Sequence, residues 1–177
     1  MDRPESWKNT ADCLAKVCSI FTSVKIIDLG GGLGVPYKPT DQPLDLDKVA
    51  TFLSEFKRPR PDIKVMIEPG RFMVASAGII VTRVTQTKQK DDHIYVGVDT
   101  GMNTLIRPAL YNSHHEIVNL TRIEAPIVYK MADIVGPICE TGDILGVKRA
   151  LPECKHDDVM VICTAGAYGK AMSSHYN

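Results

Sequence analysis

Val24-Lys25-Ile26-Ile27-Asp28-Leu29-Gly30-Gly31-Gly32 is the stretch that decides the first half of the fold. A short apolar run of this kind reads as a buried strand, and consecutive glycines end it. Upstream, Ala11, Leu14, Cys18 and Phe21 recur at helical spacing, which predicts a helix starting near Ser6. Downstream, Pro36 to Pro43 reads as loop. Asp45 is a candidate cap for a second helix, with Val49, Phe52, Leu53 and Phe56 as its apolar stripe. After KRPRPD a second buried strand, Ile63 to Ile67, stops at Glu68-Pro69-Gly70-Arg71. Helix, strand, helix, strand is the rhythm of an α/β layer on a parallel sheet.

The rhythm changes near residues 75–80. Short strand-like runs follow at Ile79–Val84, His93–Val98, Glu116–Leu120, Ile127–Met131, Ile134–Ile138 and Val159–Thr164, with turn residues between them. Such spacing predicts an antiparallel all-β domain, with a barrel as one way to close it. The expected division is an α/β part over residues 1–77 and a β part over residues 78–177. Two α/β units cannot close a sheet by themselves, and a (β/α)8 barrel needs about 250 residues. The α/β part is therefore either a small open sheet or an excerpt of a longer chain.

Bulk composition narrows the function classes. Lys plus Arg and Asp plus Glu are 21 each in 177 residues, so no overall basic field collects nucleic acid or anionic lipid. No apolar stretch approaches the roughly 20 residues that span a bilayer. The beginning, MDRPESWKNT, is polar and lacks a signal-peptide core. The expectation is a cytoplasmic protein without nucleic-acid or membrane partners. Five cysteines, an odd number without a C-x-x-C pair, read as free thiols and not as a disulfide framework or a zinc site.

The candidate chemistry lies at strand ends. Glycines directly after a strand let main-chain N–H groups approach an anion, although a tight turn needs the same residues. Glu68-Pro69-Gly70-Arg71 ends the second strand on the same edge if the two strands are parallel, and ligands of α/β sheets gather there. Arg107-Pro108-Ala109-Leu110-Tyr111 offers a planar fork for a carboxylate and a hydroxyl four residues on. The ordinary alternative is an exposed arginine beside a tyrosine in the core. In GPICETGD, a carboxylate beside the Cys139 thiol favours the protonated form, suited to giving a proton. A buried structural cysteine is the alternative. His114 and His115 are adjacent, face different ways and read as a solvated loop. Ala165-Gly166-Ala167-Tyr168-Gly169 places small residues around one tyrosine, for close approach or for a turn.

The order of these motifs says more than any one of them. IDLGGGLGVPY, IEPGR, VDTGMNTLIRPALY, VGPICETGD and AGAYGKAMSSHYN, from about Ile26 to Asn177, resemble the run of signatures in diaminopimelate decarboxylases. These are pyridoxal-phosphate decarboxylases that join an α/β barrel to a C-terminal β domain. The resemblance implies the C-terminal part of a (β/α)8 barrel followed by a β-barrel or sandwich domain. It implies pyridoxal 5'-phosphate as cofactor, bound by Gly31, Gly32 and Glu68-Pro69-Gly70-Arg71, with Gly31, Gly32 and the backbone around Gly70 and Arg71 at its phosphate. Glu68 would face the pyridinium nitrogen and Tyr168 would lie against the cofactor. Arg71, Arg107 and Tyr111 would bind a carboxylate of an amino diacid, meso-2,6-diaminopimelate, and Glu140 its distal end. Cys139 would be the general acid. A homodimer is implied in which Cys139 and Glu140 reach the other subunit's site.

The lysine that tethers the cofactor has no counterpart here. Only 29 residues precede Gly30, and Lys8, Lys16 and Lys25 lie in no matching motif. The expectation is a fragment or truncated form, inactive and poorly folded alone. Two rivals stand beside it: an ornithine- or arginine-type decarboxylase, which EPGRFMVASA would suit equally, and a non-catalytic regulator of a related enzyme.

Overall fold

The computed structural model describes residues 4–21 and 23–177. They form two compact units. The first comprises the chain to Pro36 together with Asp41–Met73, and the second comprises Tyr37–Thr40 with Val74–Asn177.

The first unit contains α1 (Pro4–Cys18), β1 (Ile26–Asp28), α2 (Leu46–Lys57), β2 (Lys64–Met66) and most of a short helix, α3 (Gly70–Val74). β1 and β2 pair in parallel, with Ile27 opposite Val65. Asp45 caps α2 as its position suggests: its carboxylate accepts from the Lys48 N–H at 3.0 Å. The core is small. Ala11, Ile27, Leu29 and Phe56 are buried, with partly exposed Leu14, Phe52, Leu53, Val65 and Ile67 around them. The apolar face of α1 ends sooner than its spacing suggests, since Phe21 lies beyond the helix and is exposed.

In the second unit one sheet carries six strands: β3 (Ile80–Lys90), β4 (His93–Val98), β5 (Ile117–Asn119), β6 (Ile127–Val135), β7 (Ile144–Pro152) and β8 (Val159–Ile162), in the order β5-β8-β3-β4-β6-β7. β3 changes partner along its length. Ile80–Arg83 pair with β8, and from Val84 onward it pairs with β4 across a bulge at Val84/Gln86. Partner exchange and bulges bend a sheet, and this one curls: a Cβ on Gly146 of β7 would lie 2.8 Å from Ile117 of the opposite edge strand β5. The interior of the curl is filled by Val84, Val96, Val98, Leu105, Ile117, Ile134, Leu145, Leu151, Met160 and Ile162.

The sheet departs from the sequence expectation in three ways. It is mixed, because β4 and β6 run parallel. Ile127–Met131 and Ile134–Ile138 are not two strands: β6 runs through Ala132 and Asp133, since Asp133 is stabilised in place by the Lys148 N–H at 2.7 Å and by His93 at 2.9 Å. β7 has no counterpart among the expected strands. Its alternation fails at Val147–Lys148, where Lys148 has a φ of 52°, so no period of two is visible in ILGVKRALP.

Candidate functional site

The expected site residues fall into two groups, one in each unit. In the first, β1 and β2 end side by side. The Leu29 N–H donates to the Met66 carbonyl at 2.9 Å, and the Glu68 N–H donates to the Gly30 carbonyl at 3.0 Å. The triple glycine and the Glu-Pro-Gly-Arg turn thus adjoin. Gly30 and Gly32 have φ of +71° and +95°, and a Cβ on Gly31 would sit 2.3 Å from the Glu68 carbonyl oxygen. Glycine is required here by backbone conformation and by close approach. The Gly30 N–H is taken by Asp28 at 2.8 Å, and the buried Trp7 donates its indole N–H to the Gly31 carbonyl at 3.1 Å. The Gly70 N–H closes the second tip onto the Glu68 carbonyl at 2.8 Å. The tips therefore present main chain, the exposed carboxylates of Asp28 and Glu68 and the half-buried Arg71.

In the second unit a short helix, α4 (Arg107–Tyr111), starts with Arg107 followed by proline and ends at Asn112, whose φ is 52° and whose N–H caps onto the Arg107 carbonyl. Arg107 is only 7% exposed. Its guanidinium lies 5.5 Å from the Tyr168 ring and 5.8 Å from those of Tyr37 and Tyr111, within cation–π reach of all three. Nη2 donates to Ser113 Oγ at 3.2 Å, while Nε is buried and has no protein hydrogen-bond partner among the described residues. A guanidinium buried without an anion is costly, and an unmatched Nε–H marks a place for an acceptor. The ordinary sequence alternative is inverted: the arginine is inside, and Tyr111 is 59% exposed. Tyr168 sits beside the same arginine, half exposed, in a left-handed turn.

The histidines also depart from a solvated loop. His115 is fully buried and bonds through Nδ1 to the Cys163 carbonyl at 3.0 Å, with its ring edge-on to Tyr37 at 5.1 Å. Burial pushes its pKa down, and the positive charges of Arg107 and Arg149 push the same way against the Cys163 hydrogen bond. His114 is half-buried and meets Glu116 at 3.2 Å.

Cys139 and Glu140 lie exposed on a tight turn before β7, and Cys139 is a free thiol. A residue without an assigned part in the sequence reading joins them: the Tyr176 hydroxyl donates to Glu140 Oε1, and this bond pushes the phenol pKa up. The partners are 36 positions apart, so nothing local announces the contact. Among the described residues no helix is long and apolar enough to cross a membrane.

A family model described as pyridoxal-dependent decarboxylase, C-terminal sheet domain, matches residues 15–166. The chain belongs to this family. It is 42% identical over 177 residues to the diaminopimelate decarboxylase of Aquifex aeolicus, covering 94% of this chain and 40% of that protein. Among solved structures it is similar to a diaminopimelate decarboxylase at 34% identity and a TM-score of 0.90, over 98% of this chain and 45% of the other. It is also similar to the Helicobacter pylori diaminopimelate decarboxylase complexed with L-lysine, at 32% identity and a TM-score of 0.82, over 98% of this chain and 42% of the other. The chain thus spans about two-fifths of the length of these relatives.

Proposed function

We propose that this chain forms part of a pyridoxal 5'-phosphate-dependent decarboxylase acting on meso-2,6-diaminopimelate and forming L-lysine. The observation that carries the reading is Arg107: a buried guanidinium with an unmatched Nε–H, walled by Tyr37, Tyr111 and Tyr168. Such a site suits the carboxylate of an amino acid and offers little to a substrate that ends in an amine alone. The relatives named above, all diaminopimelate decarboxylases, support the same substrate class.

The donor set of the first unit fits the phosphate and ring of the cofactor. Main chain around Gly31, Gly32, Gly70 and Arg71 would hold the phosphate, because glycine tips let N–H groups approach an anion. The exposed Glu68 carboxylate would stand against the ring nitrogen and keep a proton on it. When bound, the cofactor supplies the electron sink that takes up the pair left as carbon dioxide departs. Arg71, Arg107 and Tyr111 would orient a substrate carboxylate, Glu140 would take the distal ammonium, and the Cys139 thiol would deliver a proton to carbon. Tyr168 would lie against the cofactor. The tethering lysine belongs, on this reading, to sequence outside these residues, since Lys8, Lys16 and Lys25 are all exposed and lie outside the motifs.

Residues 1–77 are read as the C-terminal part of a (β/α)8 barrel and residues 78–177 as its companion β domain. The protein is read as a cytoplasmic homodimer whose subunits share sites, Cys139 and Glu140 serving the partner. The exposure of both side chains supports that last point.

The test is an assay of the protein expressed from its complete reading frame with pyridoxal phosphate, offered meso-diaminopimelate or ornithine in parallel. Lysine should form and putrescine should not. Arg107→Ala should raise KM for diaminopimelate by about tenfold or more, the cost of a lost charged hydrogen bond. Putrescine as the main product would remove the substrate assignment.

A further inference from the structure

We propose that Asp143 is the positioning residue of the Cys139–Glu140 turn, an inference that rests on the roles just given to those two side chains. Both are exposed, so little side-chain packing decides where the thiol points, while the Glu140 carboxylate is also held by the Tyr176 hydroxyl. The direction of both depends on the main chain that carries them, and that main chain is anchored on Asp143.

Asp143 is 3% exposed and stands immediately before β7. Its Oδ1 accepts from the Met102 N–H at 2.6 Å, and its Oδ2 accepts from the Ile138 N–H at 2.7 Å. Its own carbonyl accepts from the Gly136 N–H at 3.0 Å, and its N–H donates to the Glu140 carbonyl at 3.1 Å. One residue is therefore bonded to the chain just before Cys139, to Glu140 itself and to the loop that follows β4. That loop continues into α4: the Thr104 and Leu105 N–H groups fold back onto the Gly101 carbonyl at 2.9 and 3.2 Å, and Leu105 is fully buried two residues before Arg107.

The glycines around the carboxylate fit this function. A Cβ on Gly101 would lie 2.8 Å from both Asp143 carboxylate oxygens, and one on Gly136 would lie 2.3 Å from Oδ2. Two segments thus lack side chains where the carboxylate needs to reach their backbones. A carboxylate is an acceptor-only group with fixed geometry, so it sets the spacing of the arginine-bearing loop and the thiol-bearing turn as a strut does. A purely apolar contact would leave that spacing free to slide.

Two measurements test the proposal without relying on turnover. In the unmodified protein from the complete reading frame, hydrogen exchange should find the Met102 and Ile138 amides protected by about a hundredfold or more although neither lies in a strand or helix. Exchange at open-loop rates would overturn the strut. In Asp143→Asn, which keeps the shape and removes one acceptor, the modification rate of Cys139 by iodoacetamide, followed at that peptide by mass spectrometry, should rise several-fold while the sheet keeps its circular dichroism. An unchanged rate in a folded variant would overturn the proposal, and if the variant does not fold the exchange measurement decides alone. In the protein from the complete reading frame, Asp143→Asn should lower kcat/KM for diaminopimelate by about ten- to a hundredfold, the scale of a misplaced reacting group. Asp143→Glu should not restore it, because its extra methylene has no room beside Gly101 and Gly136. A failure of the unmodified protein to form lysine would sink the substrate reading and leave the exchange and alkylation results standing.

Discussion

In the first unit the candidate groups are mostly main-chain atoms at the ends of two short parallel strands; in the second they are side chains on turns hung from a curled six-stranded sheet. The first needs glycine at particular positions, where φ is positive or where Gly31 passes the Glu68 carbonyl. The second needs a rigid frame, because Arg107, Tyr168, Cys139 and Glu140 come from segments far apart in sequence. Main-chain sites are specified locally, whereas side-chain constellations are specified by the packing behind them.

Three outcomes would break or sharpen this contrast. The largest concerns the frame. Leu145→Ala removes a fully buried side chain in the filled interior of the curl and should destabilise the second unit by about 2–5 kcal/mol. Ile27→Ala in the first unit should cost less, because its neighbours Val24, Val65 and Ile67 are partly exposed and can close in. Equal losses in calorimetry would erase the difference between the two cores.

Next is Gly31→Ala. The added methyl would press on the Glu68 carbonyl oxygen, and the tips would have to part at a cost of about 1–3 kcal/mol. In the protein from the complete reading frame, pyridoxal phosphate affinity should fall while the far-ultraviolet circular dichroism stays unchanged. Unchanged cofactor affinity would mean that the tips do not hold the phosphate.

The smallest effect is a pH dependence seated in the second unit. The pKa of buried His115 lies below the ordinary 6.5, with burial the main cause. Its neutral form is favoured in the folded chain, so its contribution to stability is complete above about pH 6.5 and declines as pH falls below that toward the folded value. The thermal midpoint should therefore drop between pH 7.5 and 5.5, and His115→Gln should flatten the slope. A slope unchanged by the substitution would assign the dependence to other groups.

Much of the first unit was legible in the sequence because its signals are local. The apolar run before Gly30, the cap at Asp45 and the Glu68-Pro69-Gly70-Arg71 stop each act within a few residues, and β1, β2 and α2 appear where those signals put them. The second unit was legible only where a strand is plainly apolar, as in β4 and β8. β7 was hidden because the left-handed Lys148 interrupts its alternation, and β6 was split because Asp133 resembles a breaker until its hydrogen bond with Lys148 is seen. Arg107 and Tyr111 lie together in space as they do in the motif, yet their ordinary reading placed the wrong one inside, because burial of an arginine depends on rings from three separate segments.

The sequence by itself singled out the residues proposed for the chemistry, through the order of five motifs, and it put the triple glycine and the Glu-Pro-Gly-Arg turn at the ends of two strands. Only the tertiary structure decided which of those residues are buried, that the sheet is mixed and curled, and that Asp143 and Tyr176 both bond to the Cys139–Glu140 turn. The reason is range. Backbone conformation and capping are written over three to five neighbouring residues, while burial and hydrogen bonding between segments dozens of residues apart exist only once the chain has closed around its core.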